Sequence, residues 1–220
     1  MTTWVEDPEG GRDRGPVGFV RAWLEVLVRP RRFFRNGIAP GDQAPGLVFG
    51  VFVALCYSGG VLAFSPGAVL GTETLPLVAD SRAATALLLL LSVALFVAPA
   101  TLHLTAAVQT LLLIPFAPDR GGVSQTVQTL AYATAPCVLA GLPFPAVRLA
   151  CTAYGAVLLV VGVSVVHRTS LPRAALLAAL PAGLVFGYGF GGFAAAGTVV
   201  TRLSAGADVA VVAAAAAGLI

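Results

Sequence analysis

The residues best suited to chemistry lie inside long apolar stretches of the sequence. His103 stands four residues after Pro99, and Gln109 follows six residues later. Two roles fit these side chains within a membrane. They can line a polar path for a small solute, or His103 can bond a backbone carbonyl that Pro99 leaves without its helical donor. The second role needs no further residues, and we favour it.

A second group of polar side chains follows in the next apolar stretch. It comprises Gln125, Gln128 and Tyr132, interleaved with threonines. Amide and hydroxyl groups hold membrane helices together through interhelical hydrogen bonds, each worth roughly 0.6 kcal/mol. We therefore expect this group to connect helices. The alternative is that it extends a polar path past His103 and Gln109.

The sequence lacks the residue sets that catalysis and metal binding need. Asp, Glu, Lys and Arg do not occur well inside any apolar stretch, which excludes a carboxylate relay. Cys56, Cys137 and Cys151 lie in apolar runs without CxxC spacing or a neighbouring histidine, so we predict no metal site. A nucleophile–base pair is also missing. We expect a protein without catalytic activity, cofactor or metal.

The composition places these residues in a membrane protein. Hydrophobic residues make up 58% of the chain and charged residues only 10%, whereas a soluble protein carries about 25% charged residues. The net charge of +3 is small, and its basic patch is short and adjoins an apolar stretch. We predict an all-α, polytopic transmembrane helix bundle that contacts the lipid bilayer and binds no nucleic acid.

Five windows free of charged residues mark the predicted spans, because about 20 apolar residues cross a bilayer as a helix. They lie between Asp42 and Glu73, Arg82 and Asp119, Arg120 and Arg148, Arg148 and Arg168, and Arg173 and Arg202. The second window predicts one long helix over about 83–115, tilted or kinked at Pro99. We predict five spans within residues 46–202, followed by an apolar tail over residues 203–220.

The stretch before the first span is predicted to form an amphipathic helix on the membrane surface. Residues 17–45 combine apolar residues at helical spacing with a basic and aromatic group. The candidate lipid or partner interface comprises Trp23, Arg29, Arg31, Arg32, Phe33 and Phe34. Residues 1–16 are charged and rich in glycine, which predicts a disordered inner tail.

The arginine positions predict the orientation of the spans. With the N-terminus inside, ten of the 13 arginines fall in inner segments, in agreement with the positive-inside rule. We therefore expect a multi-pass protein of the cell membrane with a cytoplasmic N-terminus. Gly183 and Gly187 form GxxxG spacing in the fifth window, which predicts contact with a membrane-protein partner or a second copy of the chain.

Three parts of the sequence resemble the YIP family, small five-span membrane proteins named for interaction with Ypt/Rab GTPases. The first part, before the first span, has Trp23, Leu27, Pro30, Phe33 and Phe34. The second, in the third window, has Gly121, Gly122, Tyr132 and Pro136. The third has Tyr154, Leu158, Gly162, His167, Ser170, Arg173 and Ala174. The resemblance covers about residues 19–200. The sequence looks like the archaeal and bacterial branch of the family, and it lacks the Asp-Leu-Tyr-Gly-Pro motif of the eukaryotic branch.

The resemblance implies a polytopic membrane protein without catalysis that organises membranes or recruits partners. A membrane-organising scaffold or adaptor is therefore the leading hypothesis. The alternative is a small transporter or permease component with a polar path near His103 and Gln109.

Overall fold

The protein is all-α in the computed structural model, which describes residues 15–72 and 75–216, with side chains through residue 205. No strand occurs in these ranges. In chain order the helices are α1 (Pro16–Val28), α2 (Pro30–Asn36), α3 (Ala44–Phe64), α4 (Arg82–Leu113), α5 (Val123–Ala133), α6 (Pro145–Val166), α7 (Leu171–Gly189) and α8 (Gly192–Ala216). The disordered tail predicted for residues 1–16 falls almost wholly outside the described residues, as does the end of the predicted C-terminal tail.

Four helices of the described chain are long and apolar enough to cross a membrane. These are α3, α4, α6 and α7, whose most apolar stretches have mean hydropathies of 2.2, 2.3, 2.3 and 1.4. The third predicted window instead contains α5, of 11 residues, followed by a 3₁₀ turn over Ala135–Leu139. Pro136 lacks the amide N–H that would continue α5, which explains the change of helix type.

The second window forms one helix, α4, as its length predicts. The irregular turn lies just before Pro99, at Val93–Val97, where the Ala98 N–H reaches back to the carbonyl of Val93 in a π-helical turn. Proline cannot donate a hydrogen bond and its ring crowds the preceding turn. The wider π turn accommodates both effects without breaking the helix.

The fifth window is divided at its glycines. The chain turns at Phe190 and Gly191 before α8 begins, and the φ of 69° at Gly191 is one that glycine adopts without steric cost. Phe193 then packs against the GxxxG side of α7, because a Cβ atom on Gly187 would lie 2.2 Å from its Cε2. A ring of the same chain thus occupies the groove from which we expected contact with a second protein.

Helices α5 and α6 form the centre of the bundle. Every residue of α5 from Thr126 to Ala133 is buried, and α5 contacts α3, α4 and α6. α6 contacts α2, α5, α7 and α8. The side chains of Thr126, Gln128 and Thr129 therefore lie inside the protein, where each donates a hydrogen bond to a backbone carbonyl.

Candidate functional site

The N-terminal segment (residues 16–39) packs against the bundle through α1. Gly18, Ala22 and Val26 form the buried side of this helix. Small side chains allow close approach between helices in a membrane protein. Beside them, the ring of Phe19 lies 5.0 Å from that of Phe49 in α3, centroid to centroid. α1 thus packs against the bundle through small side chains and one aromatic ring.

Trp23 fixes α1 to the end of α5. Its indole N–H donates a hydrogen bond of 2.9 Å to the carbonyl of Ala135. This carbonyl lies in the 3₁₀ turn beside Pro136, beyond the last residue of α5. An indole can be buried against protein at little cost only where its N–H finds an acceptor. The break in α5 therefore supplies the group that holds Trp23.

A second hydrogen bond joins α1 to α6. The hydroxyl of Tyr154 donates to the carbonyl of Leu27. Leu27 lies in the last turn of α1, where backbone carbonyls lack donors within the helix. The Tyr154 side chain of α6 thus supplies a hydrogen-bond donor to a carbonyl at the end of α1, a partner that the sequence did not indicate.

Phe33 and Phe34 lie in the protein core, not in the headgroup layer expected from the sequence. Phe33 is fully buried and Phe34 is 2% exposed. The Phe33 ring meets that of Tyr132 edge to face, with centroids 4.8 Å apart. Arg31 and Arg35 of the same short helix remain exposed. The expected basic and aromatic interface is therefore divided in α2: Arg31 and Arg35 are exposed, and the two phenylalanine rings are buried.

Gln128 holds the end of the N-terminal segment through two hydrogen bonds. The N–H of Ala39 donates to Oε1 of Gln128 over 3.2 Å, and Nε2 donates back to the carbonyl of Ala39 over 2.7 Å. Both residues are buried. Ala39 belongs to neither α2 nor α3, so its backbone groups have no helical partners, and buried backbone groups need partners. The side-chain amide supplies both.

Two glycines permit the close approach of these parts. A Cβ atom on Gly162 would lie 2.6 Å from Cγ2 of Thr129 and 3.0 Å from the Phe34 ring. A Cβ atom on Gly46 would lie 2.9 Å from Cα of Gln128. Any larger residue at either position would push the N-terminal segment or α3 away from the bundle centre.

The outward side of the N-terminal segment is both apolar and cationic. Four large apolar residues lie along one side of α1 at spacings of three and four: Val17, Val20, Leu24 and Val28, each about half exposed or more. The exposed arginines are Arg21, Arg29, Arg31 and Arg35. Arg32 instead pairs with Glu25 at 3.4 Å. The segment therefore has one side that packs on the protein and a second, apolar side that the described residues leave uncovered.

The polar residues of the alternative path bond to separate parts of the bundle. His103 Nδ1 lies 2.7 Å from the carbonyl of Pro99 itself, whereas the carbonyl freed by the missing Pro99 N–H, which the sequence predicted as the partner, lies one turn before Pro99. Gln109 is fully buried and donates from Nε2 to a carbonyl of α7 over 3.2 Å, although its Oε1 has no hydrogen-bond partner among the described groups. Gln125 accepts from the backbone N–H that precedes α5. His103 and Gln125 thus bond nearby backbone, whereas Gln109 links α4 to α7.

The burial of His167 was not predicted from the sequence. It caps α6 just beyond the apolar span and is 1% exposed. Burial, with a smaller effect from the positive charge of Arg120, lowers the pKa of the His167 imidazole to about 4. The ring is therefore neutral at physiological pH and packs as an apolar group.

These features define a multi-pass membrane protein whose N-terminal segment folds back onto its helix bundle. The chain matches the family model of the Yip1 domain over residues 24–194, and it belongs to that family. The family is known as one of non-enzymatic membrane proteins. Neither a curated protein nor a solved structure matches the chain significantly.

The sequence parts that carry the family resemblance meet at the docked N-terminal segment. Trp23 reaches the turn that contains Pro136, and Leu27 meets Tyr154. The bonded residues are separated by 112 and 127 positions in the chain. Diffuse motifs along the sequence therefore correspond to one structural unit.

Replacing Trp23 by phenylalanine is expected to destabilise the protein by about 1–2 kcal/mol, because the Ala135 carbonyl loses its donor. The free energy of unfolding, measured by circular dichroism in mixed micelles, checks this. Arg21→Gln on the exposed side of α1 is the control and should change it by less than about 0.5 kcal/mol. Equal losses in the two variants would contradict the contact.

Proposed function

We propose that this protein is a membrane-organising scaffold or partner-recruiting adaptor without catalytic activity. The observation that carries the proposal is the docked N-terminal segment. Four sets of contacts from α1, α2 and Ala39 hold it against the bundle. A segment held so firmly, with an apolar and cationic side that the described residues leave uncovered, is suited to present a fixed surface to lipid or to another membrane protein.

We infer that α1 lies in the interface region of the inner leaflet. Its exposed apolar stripe can enter the boundary between headgroups and acyl chains, as amphipathic helices do. The exposed arginines beside it favour anionic headgroups, by at most about 1 kcal/mol each. In this arrangement the N-terminus is cytoplasmic and the protein belongs to the cell membrane, as the distribution of arginines predicts.

We further propose that the chain crosses the membrane five times. Beside the four long helices, α5 and its 3₁₀ turn together cover Val123–Leu139. At 1.5 Å and 2.0 Å per residue, this stretch would extend roughly 27 Å. A hydrocarbon core is about 30 Å thick. Because its neighbours cover α5, its polar side chains meet no lipid and a low hydropathy does not prevent crossing.

Transport remains the alternative function, and it needs water to reach His103 or Gln109. The cavity between α3, α4 and α7, of about 130 Å³, is lined by neither residue. The unpartnered Oε1 of Gln109 is the observation in favour of a path. A single buried water would also satisfy this atom, so the scaffold proposal is the better supported of the two.

Co-purification of the full chain in mild detergent tests the proposed function. The comparison is between the wild-type protein and Arg31→Glu, which reverses one exposed charge of α2 and touches no core contact. A defined set of membrane proteins should be enriched with the wild type and lost from the variant. Solute uptake by proteoliposomes of the purified chain, with no protein enriched over an unrelated multi-pass control, would replace the scaffold by the transporter.

The substitution His103→Gln is expected to change the free energy of unfolding by less than about 1 kcal/mol, because the glutamine amide can also donate a hydrogen bond within the helix. Uptake assays on the same variant should show no altered solute movement. A loss of several kcal/mol, or a change in a specific uptake activity, would assign His103 a larger role than bonding Pro99.

A further inference from the structure

A polar cavity of about 380 Å³ lies between the N-terminal segment and the inner ends of two bundle helices. α2 contributes Arg35, the start of α5 contributes Gln125, and the residue pair after α6 contributes Arg168. The remaining lining residues are apolar: Phe34, Ile38, Val165 and Val166. Two arginines from distant parts of the chain therefore share one cavity with four apolar residues.

The positive charge of this cavity is uncompensated by the described residues. Neither Arg35 nor Arg168 makes an ion pair or a side-chain hydrogen bond with any of them. Glu25, the acidic residue of the N-terminal segment, pairs with Arg32 instead. Arg120 adds a further positive charge close enough to lower the pKa of His167. Two unpaired guanidinium groups in a cavity favour an anion.

The backbone holds Arg168 in an unusual conformation. Its φ is 51°, a left-handed value that favours glycine over residues with a Cβ atom. A non-glycine residue in this conformation costs about 1 kcal/mol. Arg168 follows the C-cap residue of α6, and the Thr169 N–H donates to the Ser164 carbonyl over 3.1 Å, so the left-handed conformation is that of the turn that ends this helix.

Gln125 adds neutral donors to the cavity. Its Oε1 accepts the N–H of Gly122 at 2.9 Å, so the amide is oriented with Nε2 free to donate. The residue lies in the first turn of α5, where the helix dipole favours negative charge. Arginine side chains, an amide and a helix start are all groups that bind the oxygen atoms of a phosphate group.

We propose that this cavity binds the phosphate group of an anionic lipid from the inner leaflet. Its four apolar lining residues suit the glycerol and upper acyl carbons that follow the phosphate. The cavity adjoins the end of α6, where the apolar span stops, and therefore lies at headgroup level in the proposed orientation. The bound lipid would connect the N-terminal segment to α5 and α6, in addition to the protein contacts. The proposal depends on this docking and not on the scaffold function.

Native mass spectrometry of the full chain, with phosphatidylglycerol titrated into detergent, tests the assignment. Arg35→Gln and Arg168→Gly should each weaken phosphatidylglycerol binding by about tenfold, the loss expected for one charge-assisted contact. Glycine adopts the backbone of residue 168 freely, so this variant should remain folded. Arg31→Gln removes the same charge from α2 outside the cavity and should change binding by less than about twofold.

Three results would overturn the proposal. Equal weakening by Arg31→Gln and Arg35→Gln would indicate general attraction to a basic surface. Equal affinity for phosphatidylcholine and phosphatidylglycerol in the wild type would remove the preference for a net negative headgroup. Binding of inorganic phosphate that depends on Arg35 and Arg168, with phosphatidylglycerol binding unaffected by both variants, would identify a free phosphate as the ligand in place of a lipid.

Discussion

Replacing Gln128 by leucine is expected to lower the free energy of unfolding by about 4 kcal/mol, the largest loss we predict for one side chain. The substitution keeps the volume but removes both hydrogen bonds to Ala39. The N–H and carbonyl of Ala39 would remain buried without partners, at roughly 2 kcal/mol each. Equilibrium unfolding in mixed micelles, followed by circular dichroism, measures the loss.

Gln43→Leu provides the matched control for this experiment. Gln43 lies half-buried just before α3, and its side chain makes no hydrogen bond with the described residues. The same chemical change there should cost less than about 1 kcal/mol. If the N-terminal segment detaches in Gln128→Leu, Trp23 fluorescence should also shift as its indole leaves Ala135. A loss at position 128 no larger than at position 43 would show that the two bonds do not hold the segment.

Acidification from pH 6.5 to pH 4 is expected to destabilise the protein by about 3 kcal/mol through His167. The folded pKa of about 4 lies below the unfolded value of about 6.5. Between these values the unfolded chain binds a proton that the folded chain does not, so stability falls as the pH falls. Above about pH 6.5 the imidazole is neutral in both states and contributes no pH dependence.

Two variants isolate this contribution from that of the carboxylates. His167→Leu should remove about 3 kcal/mol of the difference in stability between pH 6.5 and pH 4. Arg120→Gln should raise the pKa of His167 slightly, because the arginine charge is the second cause of its depression after burial. An unchanged acid dependence in His167→Leu would show that the ring is solvated and titrates normally in the folded protein.

The all-α membrane architecture could be predicted from the sequence because it rests on composition and length. Long uncharged windows have one stable form in a bilayer, the helix. The bond between His103 and the carbonyl of Pro99 is equally local, since the two residues lie one helical turn apart. Such features depend on neighbours in the chain and need no knowledge of the tertiary fold.

The direction of each apolar face could not be predicted in the same way. In a soluble protein, an apolar stripe faces the protein core. In a membrane, the lipid and the protein interior are both apolar, so the stripe can face either one. The sequence pattern therefore indicated an interfacial position for Phe33 and Phe34, although both are buried. The sequence pattern indicated an intermolecular contact at the GxxxG pair, where the structure places Phe193 of the same chain against Gly187. Periodicity identifies faces, and only the three-dimensional packing assigns them to lipid or protein.

The partners of backbone groups were also beyond sequence reasoning. Ala39 carries no side-chain signal, yet its N–H and carbonyl make the two bonds to Gln128. The arginines of the proposed lipid cavity are 133 positions apart, and the left-handed backbone of Arg168 has no sequence signature. The polar residues of α5 were expected to connect helices, and the partner of Gln128, the backbone of Ala39, follows only from the fold.

The docking of the N-terminal segment onto the bundle is the central claim, and one distance tests it directly. Solid-state NMR of the full chain in bilayers, with ¹³C-labelled phenylalanine and tyrosine, can detect ring pairs within about 5–6 Å. The rings of Phe33 and Tyr132 lie 4.8 Å apart between centroids, so a cross-peak is expected that disappears in Phe33→Leu. Its absence, with Phe33 signals correlated to lipid acyl protons instead, would place α2 in the membrane interface and contradict the docking.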